Sequence, residues 1–499
     1  MKRRFGLVAI LAISLVLPVP QAFAEHSEPV RAEHGIVASV DAIASQIGVD
    51  IMKRGGNAVD AGVAVGLALA VTWPNAGNLG GGGFMVIRLP DGSAEVIDYR
   101  ERAPLAATAD MYLDEEGELI EDASTVGALA AGIPGTVAGL ALAIERHGNL
   151  TWAEVIEPAR KLAAEGFPVS WQLAKRFNDD EYVELMSRFE ESRRVFLRNG
   201  NPPKPGEIFV QKDLAATLER LKKEGPREFY EGKTAKLIVA EMVRSGGIIT
   251  LEDLRKYDPT IREPLRGRYR GYEILTMPPP SSGGAVLLQM LNVLEPFDLG
   301  EMGHNASAYL HLLVEVMKRA FADRAEHMGD TDFVDVPLEW LISEARAEEV
   351  RKSLDLGRAI PSSEIGPSEP MPVEPESTTH YSIVDRDGMM VSNTYTINGT
   401  FGSGLTVRGA GFLLNNEMDD FSAKVGEPNM YGLIQGEANA IEPWKRPLSS
   451  MTPTIVVKDG EPFMAIGSPG GPRIINTVLQ VILNVIDHGM DVQEAVSVP

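Results

Sequence analysis

The chain has 499 residues, 44% of them hydrophobic and 23% charged, and its formal net charge is −23 at pH 7. This composition excludes a disordered tail or a fibrous repeat, and the length predicts two or three layered units or one large composite domain. The acidity argues against binding to nucleic acid or anionic lipid, because both attract positively charged surfaces. The sequence contains no cysteine, which excludes disulfides, thiolate nucleophiles and cysteine-ligated metals.

The first 24 residues have the pattern of an export signal. Three basic residues at 2–4 precede an apolar run at 5–19, and Ala22 and Ala24 follow in the A-x-A arrangement. The pattern predicts that residues 1–24 are removed and that the mature chain begins at Glu25. No later apolar run approaches the roughly 18 to 20 residues that a membrane-spanning helix needs. We therefore expect a protein of the bacterial periplasm or exterior that has no membrane partner.

The first two thirds of the chain predict mainly helices. Residues 42–71 predict two helices that are separated by Gly55 and Gly56, with Asn57 as the N-cap of the second. Apolar runs at 84–89 and 95–98 enclose a turn sequence and predict a β-hairpin. Residues 134–324 carry a mostly helical pattern, and we interpret them as a helical layer.

The pattern changes after residue 356. Residues 361–378 are rich in Pro, Ser and Glu and predict an exposed linker. Strands at 381–384 and 389–397 follow as one hairpin, and strands at 454–457 and 463–466 as another. A helix is predicted at 474–486. The whole pattern favours an α+β protein in which antiparallel sheets are covered by helices.

Motifs of several enzyme classes are missing from the sequence. No Gly-Lys-Ser/Thr follows the run Gly80–Gly83, so we interpret these glycines as a close backbone approach into a strand and not as a phosphate loop. The eight histidines include no H-E-x-x-H motif and no pair four residues apart, which argues against a zinc site. No serine lies in a G-x-S-x-G motif, which argues against an α/β-hydrolase.

Thr378 lies where the linker meets the first strand of the last quarter of the chain. A threonine in such a place is usually only a strand former. At a newly formed chain start, however, a threonine carries a hydroxyl nucleophile together with an α-amine. That amine titrates at about pH 8 in model peptides and can act as a base near neutral pH. One residue would then supply both nucleophile and base.

Two further segments of the last quarter suit catalysis. Gly470 and Gly471 lie between a predicted strand and a helix start, where backbone N–H groups form a ready oxyanion hole, although an ordinary turn is about equally compatible with the sequence. The acidic segment 415–421 would suit a substrate ammonium group, although solvated acidic loops are common in so acidic a protein.

Together these segments resemble the γ-glutamyltransferase family of N-terminal nucleophile hydrolases, in its bacterial periplasmic form. The similarity runs from about residue 32 to residue 499 and rests on the order of its motifs. These motifs are 55–61, 80–85, 98–101, 132–139, 278–284, 378–382, 415–421, 445–451 and 467–471. The resemblance implies a four-layer αββα sandwich, with two stacked, mainly antiparallel sheets flanked by helices. It implies no cofactor and no metal.

The resemblance also implies how the chain matures and reacts. The precursor would cut itself between Ser377 and Thr378 into a large subunit, 25–377, and a small subunit, 378–499, which form a heterodimer. Thr378 would attack the γ-carbonyl of glutathione or another γ-glutamyl amide, with its own α-amine as base and Thr396 orienting it. The N–H groups of Gly470 and Gly471 would hold the oxyanion. The acyl group would pass to water or to an amino acid or peptide acceptor.

The glutamyl end of the substrate needs one cationic and one anionic contact, because it is a zwitterion. By the resemblance, the α-carboxylate would be bound by Arg100, Ser449 and Ser450. The α-ammonium would be bound by Asn398, Glu417 and Asp420. Residues 425–436, which include Tyr431, resemble the family's lid over the pocket.

Several alternatives remain open at this stage. The chain ends at Pro499, several dozen residues before the usual end of the small subunit, so we expect either a fragment or a shortened protein that is impaired in maturation or stability. A glutaryl-type β-lactam acylase or a poly-γ-glutamate transpeptidase would use the same scaffold. The carboxylates of Glu417 and Asp420 argue against the acylase, because a glutaryl group has no ammonium for them to bind. The lid-like segment argues against the transpeptidase, because a polymer substrate would need an open groove. A non-catalytic exported binding protein that never matures is the remaining alternative.

Overall fold

The structure is a computed structural model that describes residues 28–366 and 378–498. The predicted export signal at 1–24, the residue Ser377 of the predicted cleavage site and the terminal Pro499 lie outside the described residues. In the part of the chain that is described, no helix is long and apolar enough to cross a membrane.

The described strands are numbered in chain order. They are β1 (Gly35–Ser39), β2 (Gly82–Arg88), β3 (Ala94–Asp98), β4 (Phe167–Pro168), β5 (Ile208–Phe209), β6 (Thr260–Arg262), β7 (Leu265–Tyr269), β8 (Tyr272–Thr276), β9 (Thr379–Asp385), β10 (Met390–Thr396), β11 (Thr454–Lys458) and β12 (Glu461–Ile466).

The described α-helices are numbered in the same way. They are α1 (Ala42–Lys53), α2 (Ala58–Thr72), α3 (Thr136–His147), α4 (Trp152–Glu165), α5 (Trp171–Phe177), α6 (Asp180–Ser187), α7 (Glu190–Val195), α8 (Lys212–Glu224), α9 (Glu228–Glu231), α10 (Lys233–Ser245), α11 (Leu251–Lys256), α12 (Gly283–Leu294), α13 (Leu299–Met302), α14 (Ser307–His327), α15 (Leu338–Leu341), α16 (Glu344–Lys352), α17 (Arg473–Ile486) and α18 (Val492–Ser497).

Two antiparallel sheets form the centre of the molecule. The first has six strands in the order β1-β9-β10-β2-β3-β6, and the second has four in the order β12-β11-β8-β7. One face of the first sheet packs on the helices of the first third of the chain, and its other face contributes to a core shared with the second sheet. Helices α12, α14, α16 and α17 cover that second core. The result is the predicted four-layer αββα sandwich.

The predicted helix pair at 42–71 is confirmed as α1 and α2, and its caps explain the boundary. The Asn57 side chain accepts hydrogen bonds from the N–H groups of Val59 and Asp60, while Asp60 accepts one from the N–H of Asn57. Helix α2 is buried on every side, as expected for a segment that is apolar all round. Since Asp60 also accepts from the N–H groups of Asn149 and Leu150, it joins α2 to the start of α4.

The interpretation of residues 134–324 as a helical layer is wrong in part. Strands β6, β7 and β8 interrupt the helices, and β7 and β8 belong to the second sheet. Their hairpin turns at Arg270 and Gly271, which have φ angles of 51° and 83°. Each strand has only three to five residues and several of them are arginines, so the apolar alternation is too short to be recognised. The three hairpins predicted elsewhere are confirmed as β2–β3, β9–β10 and β11–β12.

The glycine run Gly80–Gly83 is a close backbone approach, as predicted. A Cβ on Gly81 would lie 2.0 Å from the carbonyl oxygen of Thr396, and one on Gly83 would lie 2.5 Å from that of Thr394. Only glycine therefore permits β2 to lie this close to β10. The glycines therefore lie against the end of β10, which carries Thr396.

Candidate active site

Thr378 and Thr396 meet at the centre of the first sheet. Strand β9 begins at Thr379, which pairs with Tyr395, so Thr378 lies beside the last residue of β10. The hydroxyl of Thr378 donates to Oγ1 of Thr396 over 3.2 Å, and the same oxygen accepts the N–H of Asn398 over 2.9 Å. Both threonines are buried. The arrangement holds one hydroxyl in a fixed orientation next to a cavity.

Thr378 also has an unusual backbone conformation. Its φ angle is 95°, whereas β-branched residues rarely adopt positive φ because the side chain collides with the backbone. Such a conformation costs on the order of 1–3 kcal/mol. The strain is therefore located at the junction that the sequence predicts to be cut.

The glycines of the predicted oxyanion site lie directly before α17. Gly470 and Gly471 have φ angles of 121° and 52°, and their carbonyl groups accept the N–H groups of Arg473 and Ile474. Gly471 and Pro472 line the same cavity as Thr378, whereas Gly470 lies next to that lining. The N-terminus of α17 thus faces the predicted nucleophile, where its dipole favours negative charge.

Four ionisable groups lie together, and three of them, Arg100, Glu417 and Asp420, line the cavity. The guanidinium of Arg100 forms ion pairs with Glu417 and Asp420, and Glu101 lies 3.7 Å from it. Burial opposes the charge of Arg100, but the carboxylates raise its pKa above the ordinary value. Burial raises the pKa values of Glu417 and Asp420, and Arg100 offsets part of this effect. The residues predicted to bind the two opposite charges of a zwitterion therefore pair with one another.

The backbone around Arg100 fixes its direction. Its N–H donates to Asp98 over 3.0 Å, and its Nε donates to the carbonyl oxygen of Pro447 over 3.2 Å. The second contact connects Arg100 to the segment that carries Ser449 and Ser450. Ser449 is itself held by its backbone, because it exchanges bonds with Pro280 and Ser282.

Arg324 is a residue of the cavity that the sequence analysis missed. It lies on α14 and is 2% exposed, and its guanidinium donates to the side chains of Ser282 (2.9 Å), Gln435 (3.4 Å) and Ser450 (3.4 Å). Burial lowers its pKa to about 10, against the effect of Asp420. The cavity thus contains a second cation, and Ser450 lies beside this one.

Asn398 and Tyr431 connect the predicted lid to the segment that follows β10. The hydroxyl of Tyr431 donates to the carbonyl oxygen of Asn398 over 2.9 Å, and the Asn398 side chain donates to the carbonyl oxygen of Asn416 over 3.1 Å. Tyr431 and Leu433 line the cavity. Two residues of the segment 425–436 thus contact the cavity, and its role as a lid stays a prediction.

His380 lies two residues from Thr378, but the structure gives it a different place. Its ring nitrogens bond to the hydroxyls of Thr394 and Ser382, each over 2.8 Å, and the ring packs against Gly467. Burial lowers its pKa to about 3, so the imidazole is neutral near pH 7. It does not line the cavity.

The structure thus brings nearly all the predicted site residues to one cavity, part of which is open to solvent. Ten predicted residues line it, namely Arg100, Thr378, Thr396, Asn398, Glu417, Asp420, Tyr431, Ser449, Ser450 and Gly471. The lining residues that the sequence analysis did not single out are Arg324, Leu433, Leu448, Met451, Pro472 and Ile474. Of the apolar members, Ile474 lies in α17, and Leu433, Leu448, Met451 and Pro472 lie outside the helices and strands.

Comparison with known proteins agrees with this geometry. Residues 44–499 match the family described as gamma-glutamyltranspeptidase. The chain is 52% identical over 474 residues to the glutathione hydrolase proenzyme of Escherichia coli (strain K12), an alignment that covers 94% of this chain and 81% of the relative.

Two solved structures are similar to the whole fold or most of it. Cephalosporin acylase from Bacillus halodurans superposes with a TM-score of 0.80 at 29% identity, over 97% of this chain and 86% of that one. Helicobacter pylori gamma-glutamyltranspeptidase superposes with a TM-score of 0.66 at 44% identity, over 68% of this chain and 97% of that one. The identity, the matched length and the site geometry agree, and the chain belongs to the gamma-glutamyltranspeptidase family.

Proposed function

We propose that the protein is the precursor of a γ-glutamyltransferase that hydrolyses glutathione and related γ-glutamyl amides. The observation that carries the proposal is the Thr378 hydroxyl, held by Thr396 in one cavity with the cluster of Arg100, Glu417 and Asp420. A nucleophile and groups suited to an amino-acid zwitterion thus line the same cavity. The proposal agrees with the names of the relatives.

Maturation would begin with Thr378 itself. Its Oγ attacks the carbonyl carbon of Ser377, the C–N bond between the two residues breaks, and the amine takes up the proton, which leaves an ester. Water then hydrolyses the ester into subunits 25–377 and 378–499, which remain together as a heterodimer. The positive φ of Thr378 supports this site, because cleavage releases the strain.

Catalysis would use the same hydroxyl after cleavage. The free α-amine of Thr378 takes the proton from Oγ, which attacks the γ-carbonyl carbon of the substrate. The N–H groups of Gly470 and Gly471 stabilise the negative oxygen of the tetrahedral intermediate. The leaving amine takes the proton, and an acyl-enzyme ester remains on Thr378. Water or the amine of an amino acid or peptide then attacks this ester and frees Thr378.

Recognition of the glutamyl end would exchange internal ion pairs for substrate contacts. The α-carboxylate pairs with Arg100 and the hydroxyls of Ser449 and Ser450, while the ammonium takes the place of the guanidinium beside Glu417 and Asp420. Asn398 supplies its side-chain oxygen to the ammonium. Because each buried carboxylate keeps a cationic partner, binding leaves no charge uncompensated.

The acyl acceptors and the place of action also belong to this proposal. An amino acid or peptide amine enters from the solvent-exposed side of the cavity and competes with water for the acyl-enzyme. The export pattern of residues 1–24 places the reaction in the periplasm or outside a bacterial cell.

An experiment with two matched anilides tests the substrate. Purified protein is given γ-glutamyl p-nitroanilide and glutaryl p-nitroanilide, which differ only in the ammonium group, and released nitroaniline is measured. We expect rapid turnover of the γ-glutamyl compound and at least a hundredfold lower kcat/KM for glutaryl, because two buried carboxylates lose their cation. Quenched samples should carry one γ-glutamyl group on Thr378 by peptide mass spectrometry.

The similarity to cephalosporin acylase makes a glutaryl acylase the second candidate. It predicts the opposite order of the two anilides. Turnover of neither compound by processed protein contradicts both candidates. A chain that stays unprocessed and binds glutamate without turnover favours the exported binding protein.

A further inference from the structure

Glu101 is a buried carboxyl group that the proposed mechanism does not use. It is 0% exposed and follows Arg100 directly in the chain. Its carboxyl oxygen would collide with a Cβ on Gly82, at 2.6 Å, so the glycine provides the space that the side chain occupies. The motif 98–101 includes it, but its residue type alone gives it no role.

The hydrogen bonds around Glu101 are incomplete. Among residues 28–366 and 378–498, neither of its carboxyl oxygens accepts a hydrogen bond, and Oε2 of Glu417 also has no donor. Both carboxyl groups lie beside the same nitrogen, Nη1 of Arg100, which forms an ion pair with Oε1 of Glu417 and is 3.7 Å from Oε2 of Glu101. Two buried acceptors that face each other without a donor are unfavourable. A proton held on one of them makes that oxygen a donor to the other and satisfies both.

The charges of the cluster support the same arrangement. Three carboxyl groups surround the single guanidinium of Arg100, which already pairs with Glu417 and Asp420. A third ionised carboxylate in this buried place would have no cation of its own. Burial raises the pKa of Glu101 to about 7, although Arg100 opposes the shift, and the proton belongs to the Glu101–Glu417 pair as a unit.

We propose that Glu101 acts as a neutral acid that donates a hydrogen bond to Glu417 and thereby positions Glu417 for the ammonium group of the substrate. This role rests on the proposed function of the cavity. Glu101 is a positioning residue, because it acts through Glu417 and touches no reacting atom. The consequence is that glutamyl binding requires a protonated pair and weakens as the pair loses its proton.

Other titratable groups lie near the pair. They are the guanidinium of Arg100 on the same segment, the hydroxyls of Tyr99 and Tyr257, the carboxyl of Asp420, the carboxyl of Asp419, whose pKa burial raises to about 6, and the guanidinium of Arg324, which acts on Asp420. The free α-amine of Thr378, which titrates at about pH 8 in model peptides, is present in the wild type and in the variants alike, so the comparison with the Glu101 variants separates its protons from those of the pair. Burial raises the tyrosine pKa values further above neutrality, and both arginines stay charged below about pH 9.

The test measures binding of L-glutamate to the processed protein by calorimetry between about pH 6 and about pH 8.5. Buffers of different ionisation enthalpy report the protons exchanged. For the wild type we expect uptake of close to one proton per site at about pH 8.5, little uptake at about pH 6, and a dissociation constant that rises by up to roughly tenfold per pH unit above the pKa of the pair.

Two variants separate positioning from mere packing. Glu101→Gln keeps the shape and supplies a permanent N–H donor, so its affinity at about pH 6 should stay within about threefold of the wild type and its pH dependence and proton uptake should disappear. Glu101→Ala removes the donor, and its affinity should fall by about tenfold at both pH values.

Three results would overturn the inference. They are a wild type that binds L-glutamate without proton uptake, a wild type that releases a proton on binding, and a Glu101→Gln variant that keeps the wild-type pH dependence. If the wild type binds no L-glutamate at any pH, the proposed function of the cavity fails, and the role of Glu101 fails with it.

Discussion

Replacement of Thr396 by valine tests the orientation of the nucleophile. Valine has nearly the shape of threonine but no hydroxyl, so the change removes the acceptor for Thr378 Oγ (3.2 Å) and for the N–H of Asn398 (2.9 Å). The first loss acts on the reaction and the second on stability. Both groups are buried, so water does not replace the lost acceptor easily.

The magnitudes follow from these two contacts. A buried hydroxyl that loses its partner costs about 1–3 kcal/mol, and since about 1.4 kcal/mol is a factor of ten, kcat should fall by roughly five- to a hundredfold. KM should change little, because Thr396 contacts the nucleophile and not the glutamyl group. The unsatisfied N–H of Asn398 should lower the free energy of unfolding by about 1–3 kcal/mol.

The assay separates maturation from turnover. The processed fraction of each preparation is measured by gel densitometry, and kcat for γ-glutamyl p-nitroanilide is expressed per processed molecule. Thr396→Ser keeps the hydroxyl and is the matched control, which should stay within about threefold of the wild type. A Thr396→Val variant that is fully processed and turns over at the wild-type rate would refute this account of the nucleophile.

Three other substitutions have equally definite outcomes. Asp420→Ala should raise KM for γ-glutamyl p-nitroanilide by at least about tenfold while leaving kcat/KM for the glutaryl compound unchanged or higher; equal losses on both compounds would contradict an ammonium contact. Asp60→Ala removes the acceptor of three backbone N–H groups and should lower the free energy of unfolding in urea by about 3 kcal/mol. An unchanged urea midpoint would contradict this expectation. Burial lowers the pKa of His380 from 6.5 to about 3, so the unfolded chain binds an additional proton between these values and stability falls as pH falls through this window. His380→Gln should flatten the stability curve in that window, and an unchanged acid slope would show that another group causes it.

The elements with strong local signals were predictable from the sequence. The glycine pair before Asn57 and the acid at Asp60 define a helix boundary through short-range hydrogen bonds, and the three hairpins have turn residues between alternating strands. Strands β6 to β8 were not predictable in this way. They are stable because the sheets pair them with β3 and β11, and such long-range pairing leaves no periodic pattern in three to five residues.

Some residues of the candidate site could also be predicted from the sequence, and others could not. Thr378 and the glycines before α17 stand out because their residue types suit a chemical role, and the resemblance to the family supplied the other predicted residues. Arg324 had a usable signal, since it continues the buried face of α14 four residues after Ala320, and a cation on such a face requires a polar partner. Glu101 had none, because its importance depends on Glu417, which lies more than three hundred positions away in the sequence.

The central claim is that Thr378 is the nucleophile of a self-processing enzyme, and one measurement tests it directly. Wild-type protein and a Thr378→Ala variant are purified after export, and their intact masses and N-terminal sequences are determined. The account predicts that the wild type separates into two chains, that the smaller one begins Thr-Thr-His-Tyr-Ser, and that the variant stays whole. A wild type that remains one chain, or a variant that is cut at the same bond, would contradict it.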